Sequence, residues 1–305
     1  MTTDTTRREF LQRIAAVGVT LPCAFEILAQ ESLPTRAIPS TGERLPIVGL
    51  GSSKAVLEIP TEGTDPLQAV LRLLVQKGGR VVDTSPRTEA IDTRFGSLLS
   101  LPDLREKLFI AAKINTNGRQ AGIEQMRQMQ RLWRRETLDL IQVESMRDLE
   151  THWPNLREWK NSRQARYIGV TVSSDALHDR LEGFMRAESF DFVHVNYSIV
   201  ETHAEQRLLP LARDRGMAVL INRPFMNGTF FQRVANRKLP EWAADFDCAT
   251  WAQFSLKYIL GHPAVTCVLT ETTNPVHMQE NIQAGFGRLP DDATRRRMRE
   301  LALTF

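Results

Sequence analysis

Arg80-Val81-Val82-Asp83-Thr84-Ser85-Pro86 has the pattern of a buried strand that ends in a carboxylate. Val81 and Val82 are β-branched and suit a parallel strand that is covered on both faces. Asp83 falls where this strand leaves the sheet, and Pro86 prevents simple continuation because proline removes a backbone donor. Taken alone, the stretch leaves two interpretations of Asp83 open, an Asx-type turn or helix cap on the one hand and part of a functional site on the other.

The next two candidate strands also end in ionisable residues. Phe109-Ile110-Ala111-Ala112-Lys113 ends in a lysine, and Leu140-Ile141-Gln142-Val143-Glu144 ends in a glutamate. The carboxyl ends of the strands of an α/β barrel lie on one face, which is where such barrels do their chemistry. Ionisable residues at three successive strand ends therefore predict a site on that face.

Strands alternate with helical patterns along most of the chain, and residues 203–215 form one of these patterns. The predicted strands are Ile47–Gly51, Val81–Ser85, Leu108–Lys113, Leu138–Glu144, Ile168–Val172, Phe192–Tyr197, Ala218–Arg223 and Val265–Leu269. This alternation is typical of the α/β class with a parallel sheet, and eight such strands predict a closed (β/α)8 TIM barrel.

The alternative fold is an open doubly wound sheet, which normally carries a glycine-rich loop after its first strand. Gly49-Leu50-Gly51-Ser52-Ser53 lacks the third glycine, and no helix start is evident directly after it. The barrel is therefore the better interpretation.

Two segments lie outside the regular alternation. Arg36–Pro46 is typical of a hairpin, with two short extended runs around a Ser-Thr-Gly turn, and we expect it to cap the bottom of the barrel. Pro224–Asp247 is a long insertion after the seventh strand and contains an aromatic cluster, Phe225, Phe230 and Phe231. It either covers the barrel mouth or packs a small extra helix on the rim.

Composition and charge argue against several classes of function. The formal net charge of +3 is too small to predict a nucleic-acid partner, and Arg295-Arg296-Arg297 is interpreted as a solvated helix face. The sequence has no long apolar run, so neither a membrane-crossing helix nor a stable membrane anchor is expected. The cysteines and histidines show no metal-ligand spacing, so no metal site is expected.

Residues 1–30 have the layout of an export signal. Thr6-Arg7-Arg8-Glu9-Phe10-Leu11-Gln12 is a twin-arginine pattern, and a moderately apolar run, Ile14–Leu21, follows it. Such signals direct folded proteins across the bacterial inner membrane through the twin-arginine translocation machinery. The alternative is an amphipathic basic helix. The sequence therefore predicts a periplasmic protein whose barrel comprises residues 31–305.

From residue 36 to residue 285, several stretches resemble the aldo-keto reductases, and they occur in the family's order. They are Leu45-Pro46-Ile47-Val48-Gly49-Leu50-Gly51, Val82-Asp83-Thr84-Ser85-Pro86, Ala111-Ala112-Lys113, Asp139-Leu140-Ile141-Gln142-Val143-Glu144, Tyr167-Ile168-Gly169-Val170-Thr171, Val195-Asn196-Tyr197-Ser198 and residues 274–281. The resemblance implies a barrel that binds an extended nicotinamide dinucleotide, NADP or NAD, across its C-terminal face. It also implies hydride transfer involving a small carbonyl or alcohol substrate.

The catalytic pattern of this family is an aspartate, a tyrosine, a lysine and a histidine. Asp83 matches the aspartate and Lys113 matches the lysine. Thr88 stands where the tyrosine is expected, and Glu144 stands where the histidine is expected. Threonine cannot replace tyrosine as the proton donor, because its hydroxyl does not ionise near neutral pH. The resemblance thus implies four catalytic positions with altered acid–base chemistry.

Glu144 leaves two interpretations open. A carboxyl in an apolar barrel mouth can be held in its protonated form and can donate to a substrate oxygen. Alternatively, Glu144 forms an ion pair with Lys113 or Arg87 and takes no part in catalysis.

The resemblance also implies positions that contact the dinucleotide. Thr171, followed by Val172, replaces the Ser-Asn pair that holds the carboxamide, and His194 replaces a glutamine. Asn222 replaces the stacking tyrosine. Arg223 follows it and either reaches the pyrophosphate or forms a salt bridge at the rim.

A last group of positions belongs to the segment that binds adenosine in the family, namely Thr272, His277, Glu280 and Asn281. Glu271 stands beside them, where many members place a basic residue or glycine against the 2′-phosphate. A carboxylate there disfavours that phosphate. NADPH preference is therefore weakened, and the cofactor stays open between NADP, NAD and no dinucleotide.

The sequence supports three hypotheses of function. The first is an exported oxidoreductase of aldo-keto reductase type with altered acid–base residues. The second is a binding or scaffold protein on the same barrel that has lost reductase activity. The third is a lyase or isomerase that uses Lys113 and Glu144 without net redox change. The fold does not decide among them.

Overall fold

The computed structural model describes residues 32–305, and the predicted export signal lies outside this described part. The predicted barrel is confirmed. Its eight strands follow one another around the barrel in chain order, and the last strand pairs with the first. All neighbouring strands in the barrel are parallel. Their carboxyl ends therefore meet on one face.

The first two strands, β1 (Thr35–Ala37) and β2 (Arg44–Pro46), form an antiparallel hairpin. The barrel strands are β3 (Val48–Gly51), β4 (Val81–Asp83), β5 (Phe109–Ile114), β6 (Leu138–Glu144), β7 (Ala165–Thr171), β8 (Phe192–Asn196), β9 (Ala218–Asn222) and β10 (Cys267–Thr270). Each overlaps a predicted strand, and only the ends differ.

Helices lie between the strands and cover the outside of the barrel. They are α1 (Ser53–Leu57), α2 (Ile59–Glu62), α3 (Asp65–Gln76), α4 (Glu89–Leu99), α5 (Arg119–Leu132), α6 (Leu149–Asn161), α7 (His178–Ala187), α8 (His203–Gln206), α9 (Leu208–Asp214), α10 (Thr229–Val234), α11 (Trp251–Leu260), α12 (Pro275–Gln283) and α13 (Asp292–Ala302). Short 3-10 turns occur at Asp175–Leu177, Met226–Gly228 and Glu241–Phe246.

Two expectations about helices are wrong. The sequence indicates no helix directly after the first barrel strand, yet α1 begins at Ser53. This helix has five residues, so it is too short to show a helical period. The single helical pattern over residues 203–215 is divided into α8 and α9, because Arg207 between them has a non-helical backbone with φ of −137°.

The hairpin closes the bottom of the barrel. Its side chains Ile38 and Leu45 belong to the same buried cluster as the barrel-interior side chains. At its turn, Ser40 Oγ donates to Asp191 Oδ1 at 2.9 Å. Asp191 directly precedes β8, so the hairpin lies at the amino ends of the strands and leaves the opposite face open.

The arginine run near the C-terminus is solvated only in part. Arg296 and Arg297 are exposed, but Arg295 is only 8% exposed. Its guanidinium forms an ion pair with Glu205 and donates to the Tyr197 hydroxyl at 2.7 Å. The interpretation as a solvated face is therefore wrong for Arg295, which attaches α13 to the barrel.

Several features of residues 32–305 bear on the classes of function considered above. No helix in this range is long and apolar enough to cross a membrane. Within the same range, no three His, Cys, Asp or Glu side chains are grouped as metal ligands. Cys248 and Cys267 are buried free thiols, and burial raises the pKa of Cys248 to about 11. This thiol is thus protonated and unreactive near neutral pH.

Candidate active site

A cavity of about 730 Å³ opens at the carboxyl ends of the barrel strands. The strand residues that line it include Asp83, Lys113, Glu144, Thr171, His194 and Asn222. Loop and short-helix residues complete its wall, among them Lys54, Leu57, Arg223, Phe225, Phe231 and Glu271. The structure therefore brings the three ionisable strand ends together in one cavity.

Asp83 and Lys113 form a buried ion pair at the floor of this cavity. Lys113 Nζ lies 2.6 Å from Asp83 Oδ2, and the two side chains are 7% and 6% exposed. The pairing follows from the register, because Asp83 is opposite Ala111 on β5 and residue 113 points to the same side as residue 111. The carboxylate thus fixes the position of the ammonium group.

Two further polar side chains surround the other oxygen of Asp83. Gln142 Nε2 donates to Asp83 Oδ1 at 3.4 Å, and His194 Nδ1 lies 3.7 Å from the same oxygen. His194 is 1% exposed, and neither of its ring nitrogens has a hydrogen-bond partner within residues 32–305. Burial lowers the pKa of His194 to about 4, although the charge of Asp83 opposes this shift. The ring is therefore neutral at pH 7.

Glu144 is held by a serine hydroxyl. Ser85 Oγ donates to Glu144 Oε1 at 2.9 Å. Lys113 is engaged by Asp83, and Arg87 donates instead to the carbonyl of Ser53 at 3.4 Å. In the part of the chain that the structure describes, Glu144 makes no ion pair within 4 Å. Glu144 therefore does not form the ion pair with Lys113 or Arg87 that was the alternative interpretation.

Thr88 lies apart from the other predicted catalytic residues. It is the exposed N-cap residue of α4 and does not line the cavity. The three tyrosines of the chain also lie elsewhere: Tyr167 contacts the hairpin, whereas Tyr197 and Tyr258 both contact Glu205. The described cavity wall therefore contains no phenol.

On the β7–β9 side, the cavity wall is polar. Thr171 is buried at the end of β7. Asn222 Nδ2 donates to the carbonyl of Val172 at 2.9 Å, while its buried Oδ1 has no partner within residues 32–305. Arg223 donates to the carbonyl of Ser173 at 2.7 Å and lies 3.4 Å from a carboxylate oxygen of Glu201. Arg223 thus has the rim salt bridge that the sequence left open and also faces the cavity.

The positions predicted to contact adenosine lie beyond the cavity. Thr272 is half-buried in the loop after β10, His277 is exposed on α12, Glu280 is half-buried and Asn281 is buried. None of the four lines the cavity itself. The structure therefore places them on a neighbouring surface and does not bring them together with the ion pair.

Glu271 connects the loop after β10 to helix α1 at the rim of the cavity. Its carboxylate accepts a hydrogen bond from the backbone amide of Lys54 in α1. Although the residue is exposed, the surrounding protein raises the pKa of Glu271, and the Lys54 amide acts in the opposite direction. A carboxylate therefore lies at the mouth of the cavity beside the loop after β10.

Sequence reasoning missed part of the cavity mouth. Leu57 on α1 and Phe231 on α10 are 53% and 39% exposed, and both line the cavity. Leu57 was missed because no helix was expected after β3. Phe231 packs against Phe225, with 4.8 Å between ring centroids and the rings tilted by 47°. The insertion after β9 was expected either to cover the barrel mouth or to pack a small helix on the rim. It does both, since it forms part of the cavity wall and contains the short helix α10.

The donor and acceptor atoms of the cavity fit a polar planar ligand such as a nicotinamide. His194 and Asn222 carry buried polar atoms with no partner in the described chain, and such atoms cost about 1–3 kcal/mol each unless a ligand satisfies them. Both lie on the same side of the cavity as Thr171. The ionisable side chains Lys113 and Glu144 lie on neighbouring strands, and both line the cavity.

Comparison with known proteins identifies a family and relatives of this chain. The sequence pattern of the Aldo/keto reductase family matches residues 63–299. A curated relative, the NADH-specific methylglyoxal reductase of Escherichia coli K12, is 29% identical over 174 residues, which cover 48% of this chain and 52% of the relative. The chain thus spans about half the length of the curated relative that it matches.

Solved structures share the fold. The holo form of the aldo-keto reductase AKR11C1 from Bacillus halodurans matches with a TM-score of 0.68 and 17% identity, covering 88% of this chain and 96% of that chain. An aldo-keto reductase from Klebsiella pneumoniae in complex with NADPH matches with a TM-score of 0.70 and 16% identity, covering 88% and 95%. At these identities the likeness establishes the barrel alone.

Proposed function

Because the chain belongs to the aldo/keto reductase family, we propose that it is an exported nicotinamide-dependent oxidoreductase that reduces a small carbonyl compound with Glu144 as the acid–base residue. The observation that carries the proposal is the placement of Glu144 and Lys113 in one cavity, where Glu144 has no cationic partner among residues 32–305.

The proposed roles follow from these contacts. Hydride is the group that a bound reduced nicotinamide supplies to the carbonyl carbon. The Glu144 carboxyl would donate a proton to the carbonyl oxygen as the carbonyl is reduced to an alcohol, and would be left as a carboxylate. Lys113 stabilises negative charge on this oxygen through electrostatic attraction. Asp83 holds the ammonium group in place at 2.6 Å.

Several residues would hold the nicotinamide and limit the choice of dinucleotide. His194 and Asn222 offer unpartnered polar atoms to the carboxamide, and Arg223 offers a guanidinium to the pyrophosphate. Glu271 presents a carboxylate at the rim, which disfavours a 2′-phosphate there. We therefore favour NADH over NADPH. The relative from Escherichia coli, which is named as NADH-specific, supports this choice.

A binding or scaffold protein is the second candidate function. The observation that favours it is the lack of any phenol in the described cavity wall, with Thr88 exposed outside it. In that case the cavity binds a dinucleotide or a small carbonyl without turnover. The third hypothesis, a lyase or isomerase, requires the same Lys113 and Glu144 but no dinucleotide.

Titration of the protein with NADH and NADPH, followed by assays with methylglyoxal and simple aldehydes, separates these candidates. The reductase predicts saturable dinucleotide binding and turnover. It also predicts that Glu144→Gln lowers kcat by about 10²–10⁴-fold, which is the usual contribution of a general acid, with unchanged dinucleotide affinity. Glu300→Gln, a change on the exposed face of α13, is the matched control.

Binding without turnover in the wild type would favour the scaffold function. Turnover of a substrate without any dinucleotide would favour the lyase or isomerase. Full activity of Glu144→Gln would contradict the acid–base role that we propose.

Export is a separate part of the proposal. It rests on the twin-arginine pattern at Arg7 and Arg8 and on the apolar run that follows, which lie outside the described residues. A twin-arginine route carries folded proteins, so a dinucleotide bound before export would be transported with the barrel. The periplasmic protein would then act on carbonyl compounds on that side of the membrane.

A further inference from the structure

Ser85 connects the ends of two strands, β4 and β6, that lie on either side of β5. It follows β4 by two residues, is 1% exposed, and donates its hydroxyl to Glu144 Oε1 at the end of β6 at 2.9 Å. This hydrogen bond directly connects the residues that follow Asp83 to the side chain of Glu144.

The backbone of Ser85 is fixed on both sides. The preceding residue, Thr84, donates its amide to the carbonyl of Ala111 at 3.0 Å, which keeps the chain beside β5 after the strand ends. The following residue is Pro86, and a residue before proline is restricted to extended conformations. The hydroxyl of Ser85 is therefore directed before any ligand binds.

Glu144 needs such a partner. A glutamate side chain has several free torsions, and ordering it costs conformational entropy. Within residues 32–305, the hydrogen bond from Ser85 is the contact that fixes its carboxylate, and Oε2 has no protein partner. Lys113, which lines the same cavity, is already paired with Asp83.

We propose that Ser85 is a positioning residue that holds Oε1 of Glu144, so that Oε2 faces the substrate and is the atom that exchanges the proton. This inference rests on the proposed acid–base function of Glu144. Because Oε1 accepts from Ser85, a proton on the carboxyl lies on Oε2, on the side that is free for the substrate oxygen. Ser85 itself does not touch the reacting atoms.

A double-mutant cycle tests this role. Ser85→Ala is expected to lower kcat by up to about tenfold, which is what loss of one hydrogen bond can produce, with unchanged NADH affinity. Ser85→Thr keeps the hydroxyl and is expected to recover most of the activity. In the Glu144→Gln background, Ser85→Ala is expected to change kcat less than twofold, because it acts through Glu144.

The matched control is Ser100→Ala, which removes a half-buried hydroxyl that donates to the Gly96 carbonyl at 2.7 Å, away from the cavity. A merely structural role of Ser85 would make Ser85→Ala additive with Glu144→Gln and would give no recovery by threonine. Either result would overturn the proposal.

Crystal structures of the ligand-free wild type and of Ser85→Ala provide a readout that does not depend on activity. We expect one ordered Glu144 carboxylate in the wild type and several conformers in the variant. An unchanged single conformer in Ser85→Ala would overturn the positioning role. A wild type that binds NADH but reduces no carbonyl would instead overturn the proposed function, whereas an active wild type with additive variants overturns the role of Ser85 alone.

Discussion

Lys113 Nζ lies 2.6 Å from Asp83 Oδ2, and both side chains are almost wholly buried beneath the cavity. The two residues stand on adjacent strands and point to the same side of the barrel. A buried ion pair costs desolvation that its attraction only roughly repays, so its value for stability alone is small. The pair also holds a cation at a fixed point of the cavity floor.

We expect Asp83→Asn to lower the free energy of unfolding by about 3–5 kcal/mol, because it leaves the Lys113 charge buried without its partner. Urea unfolding of the purified variant measures this loss. The double variant Asp83→Asn with Lys113→Met removes both charges and is expected to regain most of the stability but no reductase activity. An Asp83→Asn protein as stable as the wild type would contradict this prediction.

His194 predicts a dependence of stability on pH. Burial lowers the pKa of His194 from 6.5 to about 4 in the folded state. Between these values the unfolded chain binds more protons than the folded one, so stability falls as the pH is lowered from 6.5 towards 4. Through this residue, the free energy of unfolding is expected to fall by about 2 kcal/mol between pH 7 and pH 5.

Urea unfolding at pH 7 and pH 5 checks this prediction by comparing the wild type with His194→Gln. Glutamine is uncharged at both values, so the variant should lose less stability on acidification. His262, whose pKa is also lowered to about 4 by burial, remains in both proteins and serves as the internal reference. Equal pH dependence of the two proteins would contradict the assignment.

The barrel and its strand ends could be predicted from the sequence because they depend on local patterns. A buried strand shows a run of apolar residues, and the residue that ends it is visible in the same run. Asp83, Lys113 and Glu144 were identified in this way and lie together in the structure. Parallel strands place their carboxyl ends on one face, so these three residues could be assigned to one site without predicting any contact between their side chains.

The remaining parts of the site depend on contacts between distant segments. The hydrogen bond from Ser85 to Glu144 spans 59 residues, and that from the Lys54 amide to Glu271 spans 217. No periodicity reports such contacts. Thr88 shows that a matching sequence position does not ensure a matching place in the fold. It occupies the position of the family's catalytic tyrosine, but in the structure it is the exposed N-cap residue of α4.

Glu271 predicts the choice of dinucleotide. Its carboxylate lies at the rim, held by the Lys54 amide. We expect the wild type to bind NADH at least as tightly as NADPH, and Glu271→Lys to shift the preference towards NADPH by about 1 kcal/mol or more, as for a charge reversal near the surface. Fluorescence titration with both dinucleotides measures the shift. Glu300→Lys, on the exposed face of α13, is the control for a general change of charge.

A wild type that binds NADPH far more tightly than NADH would contradict this prediction. A shift of equal size in Glu300→Lys would show that net charge, rather than the position of Glu271, sets the preference. The effect of Glu271→Lys should also decrease as salt is raised, since exposed charges are screened.

The last prediction concerns export. Arg7 and Arg8 stand directly before Glu9-Phe10-Leu11 and ahead of an apolar run, which is the spacing of a twin-arginine signal. Changing both arginines to lysine keeps the positive charge but removes the paired guanidinium groups, so we expect the precursor to accumulate in the cytoplasm. Fractionation followed by immunoblotting measures the distribution between cytoplasm and periplasm. Arg296→Lys, a change on the exposed side of α13, is the control and should leave export unchanged. Normal periplasmic accumulation of the double-lysine variant would refute the twin-arginine route.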